Sequence, residues 1–207
     1  MKSARAISAT AAICAALCIA TTSARFAVAT AAQIPGPAET VVRNLIESIR
    51  KLHTTNDAAA RAKLIASIDD SLAVDALAPQ ALGAQWGKLD RAKRDEFNHL
   101  MRDLLEKLAY PQASRFFASL VVQYGPEQAR GAERVVSTSV KRPEGGAISL
   151  DYVLQRTLNR WQVVDIDLDG QSLAQSVAGQ IQAVLKQGSY ESLVAQMRAR
   201  LKQQPNS

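Results

Sequence analysis

Cysteine is almost absent from the 207-residue chain. Its two copies, Cys14 and Cys18, both fall within the first 31 residues, so the remainder has no thiol nucleophile, no disulfide and no cysteine metal ligand. Only two histidines occur, His53 and His99, with no H-x-x-x-H spacing, so the usual zinc sites lack their ligands and no metal is expected. Aromatics make up 5% of the residues, and the basic residues are scattered among acids. The clustered basic stripe with interleaved aromatics that marks nucleic-acid binding is missing, and no nucleic-acid partner is expected. Ten glycines and seven prolines without a repeat exclude collagen-like and solenoid arrays. No glycine-rich phosphate loop follows a strand pattern, and Gly145-Gly146 fits a hairpin turn instead, so no nucleotide cofactor is implied. What is present is 47% apolar residues, enough for one well-filled domain.

The first 31 residues read as a signal peptide. Lys2 and Arg5 give a basic start, Ala6 to Ala24 carries no charge, and small residues follow at Ala24, Ala29 and Ala31, each an acceptable cleavage position. An Ala/Thr-rich stretch of this length broken by Arg25 makes a poor membrane-spanning helix. The mature chain is thus expected outside the cytoplasm. Lys2, Arg5 and Arg25 leave with the peptide and no acid does, so the net charge falls from +6 to +3. Residues 32–37 read as a linker, 38–202 as one domain and 203–207 as a polar tail.

Helical periodicity dominates the first half of that domain. Val42, Leu45, Ile46, Ile49 and Leu52 share one face of a helix, and a second short helix runs from Asp57, its N-cap, to about Ile68. One or two short helices occupy 70–87. Asp90 caps the strongest helix, whose stripe of Phe97, Leu100, Met101, Leu104, Leu105 and Leu108 is expected to end at Tyr110-Pro111, with a further helix over 113–120. The period then changes to two. Residues 121–124, 134–140, 148–157 and 161–168 read as strands separated by turn chemistry at Gly125-Pro126, at 143–146 and at 158–160. Helical spacing returns with Ser172 and Gln175 as a capping box ahead of Leu173, Val177, Ile181, Val184 and Leu185. Gly188 closes that helix, and Ser189 caps a last one carrying Leu193, Met197 and Leu201. The expected fold is α+β: a four-stranded antiparallel sheet with helices packed on one face.

Two stretches resemble catalytic or metal motifs and fall short. Asp165-Ile-Asp167-Leu-Asp169-Gly170 matches the first half of a calcium loop, but Ser176 stands where the bidentate Glu is required, and the acids alternate with apolar residues as in a strand. Gly170-Gln-Ser172-Leu-Ala174 resembles a nucleophile elbow without its second glycine. Both histidines precede it in the chain, whereas the hydrolase order puts the base after the serine. His99, three residues from Glu96 and four from Asp103, fits a helix-surface ion pair. No enzyme is read from this chain.

Two other stretches carry a family resemblance. Leu82-Gly83-Ala84-Gln85-Trp86, Arg94-Asp95-Glu96-Phe97 and the helix from Leu100 to Tyr110 are similar to the "lG..W…qr..F…l…Y" segment of MlaC-type periplasmic phospholipid carriers, also called toluene-tolerance auxiliary proteins. Ser149 to Leu154 followed by Trp161-Gln-Val-Val-Asp165 and Gly170-Gln-Ser172-Leu173 resembles that family's "v.Y.l…W.vyDv.ldG.SL" signature, and Leu193, Val194 and Leu201 resemble its ending. The likeness spans about 38–202. It departs after Ser-Leu, where an aromatic and an Arg are usual and Ser176-Val177-Ala178 stands here. The resemblance implies a non-enzymatic periplasmic protein, auxiliary to an ABC-type lipid-transport system. Such a protein holds a phospholipid's tails in an apolar cavity between sheet and helices and exchanges it with membrane-bound complexes. A hopanoid-associated branch, HpnM, is similar in length and pattern, so a rigid polycyclic lipid is the other ligand considered.

The apolar rows supply the expected lipid contacts: Tyr152, Leu154, Val164 and Ile166 on strands, Leu100, Met101, Leu104 and Leu105 on the long helix, and Phe116, Phe117, Ile181 and Leu185 on others. Each of these equally fits ordinary core packing. Trp86 and Trp161 read as packing anchors. The competing reading is an accessory or scaffold protein of envelope or hopanoid lipid metabolism with a filled core.

Overall fold

The computed structural model describes residues 36–141 and 145–203. The expected signal peptide, most of the linker and all but the first residue of the polar tail lie outside the described residues. Among those described, no helix is long and apolar enough to cross a membrane.

Helix α1 (Pro37–Leu52) buries Val42, Leu45, Ile46, Ile49 and Leu52, the stripe that its sequence spacing predicts. Its first turn leaves backbone N–H groups without intrahelical partners, and the Glu127 carboxylate accepts from two of them, Ala38 at 2.9 Å and Glu39 at 3.1 Å. At its other end the Arg50 guanidinium donates to the carbonyls of Phe117 and Leu120. Helix α2 (Ala58–Ser71) starts at the Asp57 cap, whose carboxylate accepts from the Ala60 N–H at 2.7 Å. Then come α3 (Val74–Leu82), a 3-10 turn at Gly83–Lys88, and α4 (Arg91–Leu104), capped by Asp90 as expected.

The long helix does not stop at Tyr110-Pro111. A π-turn at Leu105–Ala109 joins α4 directly to α5 (Tyr110–Phe117). Pro111 would break an interior α-turn, but here it occupies the first turn of α5, where the missing N–H is not needed. The Tyr110 N–H is taken by the Leu105 carbonyl, five residues back.

Strands β1 (Val122–Arg130), β2 (Glu133–Lys141), β3 (Ala147–Thr157), β4 (Arg160–Leu168) and β5 (Gln171–Ser172) form one antiparallel meander in chain order, so the sheet has five strands rather than four. The added strand follows a two-residue turn in which Asp169 and Gly170 both take positive φ. Gly125-Pro126 is a bulge inside β1, not a turn. The chain reverses only after Arg130, where Gly131 has φ +61°. Leu158 and Asn159, both at positive φ, turn β3 into β4, and Gly145 and Gly146 supply positive φ ahead of β3. Helices α6 (Leu173–Gln187) and α7 (Tyr190–Lys202) complete the chain, with Ser172 and Ser189 as their caps.

Among the described residues these elements bury two large apolar cores and a small cluster of Ala73, Val153 and Val164. One packs α1, α2 and α5 on the inner face of the sheet, where Val136, Val140, Leu150, Tyr152 and Leu154 point. The other joins α3, α4, α6 and α7 around Leu82, Phe97, Ile181 and Leu193. Leu72 and Leu105 pack against both and mark the seam. Polar ties hold the second core together: Arg102 to Asp75 at 2.5 Å, the Gln182 amide to the Ala81 carbonyl at 2.7 Å, and Tyr190 to the Lys93 carbonyl at 2.7 Å.

Candidate functional site

At the seam between the two cores lies a cavity of about 730 Å³. Its floor is the inner row of β3 and β4, where Leu150 pairs with Leu168 and Tyr152 with Ile166, extended by Ile148 and Val163. Leu45 and Ile49 of α1 close it on one side, and Leu77, Gln80 and Ala81 of α3 with Met101 on another. The back wall is the π-turn and α5, where Leu105, Ala109 and Ala113 recur four residues apart, so small side chains leave open the space that larger ones would fill. Among the described residues no Lys, Arg or His lines it. The polar contributors are Gln80, Gln112, Tyr110, Tyr152 and Asp165.

The mouth is apolar as well. Phe116, Leu168, Leu173 and Val177 line the cavity while remaining 36–41% exposed, an unusual clustering of large apolar side chains in water. Leu173 and Val177 are set by the start of α6, and Asp165 sets that start. Its Oδ1 accepts from the Ile166 N–H at 2.8 Å and the Ala174 N–H at 3.0 Å, and its Oδ2 accepts from the Ser172 hydroxyl at 2.5 Å. Ser172 Oγ in turn accepts from the Gln175 N–H at 3.0 Å. The carboxylate satisfies N-terminal donors and opposes the positive end of the helix dipole.

That arrangement gives the residues of the two incomplete motifs structural contacts. Asp165 and Asp167 are strand residues, and Asp169 accepts from the Ser149 N–H at 2.9 Å, so the acids brace a turn; among the described residues no cluster of His, Cys, Asp or Glu could hold a metal. Burial and the neighbouring Asp165 and Asp151 raise the pKa of Asp167. The Ser172 proton is engaged by a carboxylate. His53 closes α1, and His99 lies 3.7 Å from Asp103 on the exposed side of α4.

Seven of the twelve candidate contacts line the cavity: Met101, Leu105, Phe116, Phe117, Tyr152, Val164 and Ile166. Val164 does so from an unexpected position. It is the extra residue of a bulge in β4, since Val153 pairs with Asp165 and Leu154 with Val163, and it packs with Ala73 and Val153. Five do not line it. Leu154 is sealed in the first core, and Leu100, Leu104, Ile181 and Leu185 face the second, because the helical stripes are wide enough to serve both a core and a cavity. Sequence reasoning missed the small residues Ala81, Ala109 and Ala113, although Ala109 and Ala113 continue the Leu105 row at four-residue spacing.

The other residues of the resemblance are structural. Arg94 stacks on Trp86, 5.3 Å from its ring centre, and donates from Nε to the Trp86 carbonyl at 3.1 Å, while Phe97 is fully buried beneath. Trp161 packs against the first core under the Arg134 guanidinium.

The family model for the MlaC protein matches residues 39–199. The chain belongs to the MlaC family. No curated protein is similar enough in sequence to count as a match. Among solved structures, the chain is similar to the phospholipid-binding protein from Ralstonia solanacearum, which was determined in complex with a phospholipid. The two are 22% identical with a TM-score of 0.66, over 82% of this chain and 98% of that one. At that identity the likeness establishes a shared fold.

Proposed function

We propose that this MlaC-family chain is a lipid carrier: it encloses the acyl chains of a phospholipid in the seam cavity and passes the lipid between membrane-bound transport complexes in the periplasm, after export on its first 31 residues. The carrying observation is a large apolar cavity with an apolar mouth, lined among the described residues by no Lys, Arg or His. A methylene takes roughly the 30 Å³ that a water molecule occupies in the liquid, so the volume holds roughly 24 of them. At about 0.8 kcal/mol each, sheltering them is worth roughly 19 kcal/mol against water. A bilayer provides the same shelter, so the protein needs only to match it, and transfer between docked membranes then runs near balance. Nothing in this scheme requires a reacting group.

Support for a phospholipid rather than a rigid polycycle comes from the Ralstonia solanacearum protein of the same fold, which holds a phospholipid. A scaffold with a filled core fits poorly, because the space between sheet and helices is open. The test is to purify the exported protein natively, extract it with solvent and identify lipid by mass spectrometry. About one phospholipid per chain is expected. A clean extract, together with no uptake from liposomes, refutes the carrier.

A further inference from the structure

Of the five polar residues lining the cavity, Tyr110 and Asp165 are already engaged, and Gln80 and Gln112 are exposed to solvent. The Tyr110 hydroxyl donates to Asp69 at 2.5 Å, and Asp165 is held by the start of α6. Tyr152 differs. It stands in the middle of the floor on β3, opposite Ile166 and Val136, is only 3% exposed, and lines the cavity. Burial and the nearby Tyr124 phenol act on its hydroxyl, and no hydrogen bond to any described residue does. Nor is its oxygen sealed in protein, as Asn98 Oδ1 and Ser114 Oγ are. Burial raises its pKa, so the group keeps its proton and remains a donor at every physiological pH. A buried tyrosine hydroxyl ordinarily finds an acceptor, and one facing pure hydrocarbon would stay unpaired at a cost.

We propose that the Tyr152 hydroxyl is a specificity-determining contact that donates to an acyl-ester carbonyl of the bound lipid, so that the cavity selects ester-linked lipids over ether-linked or purely hydrocarbon ones. The inference rests on the carrier reading and narrows its ligand class. The apolar walls fit any tail of suitable bulk, and Tyr152 contributes a buried directional donor, whereas the Gln80 and Gln112 amides belong to exposed residues. A phospholipid brings two ester carbonyls at the junction of tail and headgroup, and among the described residues no cation lines the cavity to select a headgroup by charge. An ether analogue keeps the shape and loses the carbonyl.

The experiment loads lipid-free protein from vesicles containing equal amounts of dioleoyl phosphatidylcholine and its di-ether analogue, and reads the bound ratio by native mass spectrometry. Wild type is expected to take the diester over the diether about fivefold, the worth of one net hydrogen bond. Tyr152→Phe is expected to bind both equally, and its lipid-free melting temperature should not fall, because the oxygen has no protein partner to lose. Equal binding by wild type, or an unchanged preference in Tyr152→Phe, overturns the proposal and leaves the carrier reading standing. A destabilised lipid-free variant overturns it by making the hydroxyl structural. If wild type takes up neither lipid, the carrier reading falls and this contact with it.

Discussion

Ala113→Leu is the sharpest test of the cavity. Ala113 lines the cavity from α5, four residues beyond Ala109, and packs at the edge of the first core, so a leucine there is expected to extend into the open space. Burying three more carbons is worth about 2.4 kcal/mol, and ordering a leucine side chain costs about 0.5–1 kcal/mol. Lipid-free protein should therefore gain about 1.5 kcal/mol, which raises the melting temperature by roughly 3–6 °C in a domain of this size. The same atoms displace about three methylenes of ligand, weakening lipid binding by up to about 50-fold. Adding Ala109→Leu should deepen both effects. The assay pairs urea denaturation of delipidated protein with lipid uptake from liposomes. Opposite signs, more stable and less loaded, are the signature of a ligand cavity. A loss of about 1–3 kcal/mol would mean overpacking in a filled core and would refute the reasoning.

Asp165→Ala removes the acceptor for the Ala174 N–H and the Ser172 hydroxyl, and should cost about 2–3 kcal/mol in urea while lowering lipid retention, because the start of α6 carries Leu173 and Val177 at the mouth. Ser172→Ala should cost about 1 kcal/mol as a lost N-cap; any esterase activity of the wild type that this change abolished would reinstate the hydrolase reading. The Lys93 ammonium and its hydrogen bond hold the Glu191 carboxyl down to about 2, so the α4–α7 tie is complete above the ordinary carboxylate range near 4.5 and is lost as pH falls from there toward 2. Acid titration of Glu191→Gln against wild type should show the two curves converging over that window, and high salt should bring them together at neutral pH because both groups are exposed.

Much of the fold was legible because it rests on local rules. Asp57, Asp90, Ser172 and Ser189 each cap the helix that their position predicts, and the stripe from Val42 to Leu52 is buried as its spacing requires. The misreadings came from features whose local chemistry is ambiguous. Gly125-Pro126 has turn composition, yet a bulge accepts the same residues, and only the pairing of β1 with β2 decides between them. Pro111 signals a helix end unless a π-turn precedes it. The fifth strand was available in Asp169-Gly170, a strong two-residue hairpin signal followed at once by the helix cap. The cavity was legible only in part, since an apolar stripe gives its direction but not what it meets. Leu100 and Leu104 share a stripe with Met101 and Leu105, and whether each faces α7, α3 or open space depends on where the two cores separate.

That separation bears on stability. Kept closed and dry, a void of 730 Å³ would cost on the order of 17 kcal/mol at about 24 cal/mol per Å³, more than the 5–15 kcal/mol that holds a typical domain together. The seam is therefore tolerable only if it is occupied, hydrated through its mouth or narrowed when lipid leaves. Its boundaries suit narrowing: Leu72 and Leu105 touch both cores, the Leu72–Ala73 link joins α2 to α3, and a π-turn rather than a straight helix joins α4 to α5. Folding and loading are thus one linked equilibrium, and the melting temperature should rise with lipid concentration as RT ln(1 + [L]/Kd). A melting temperature indifferent to phospholipid across a hundredfold range would break that linkage, because a ligand that fills the seam must favour the folded chain.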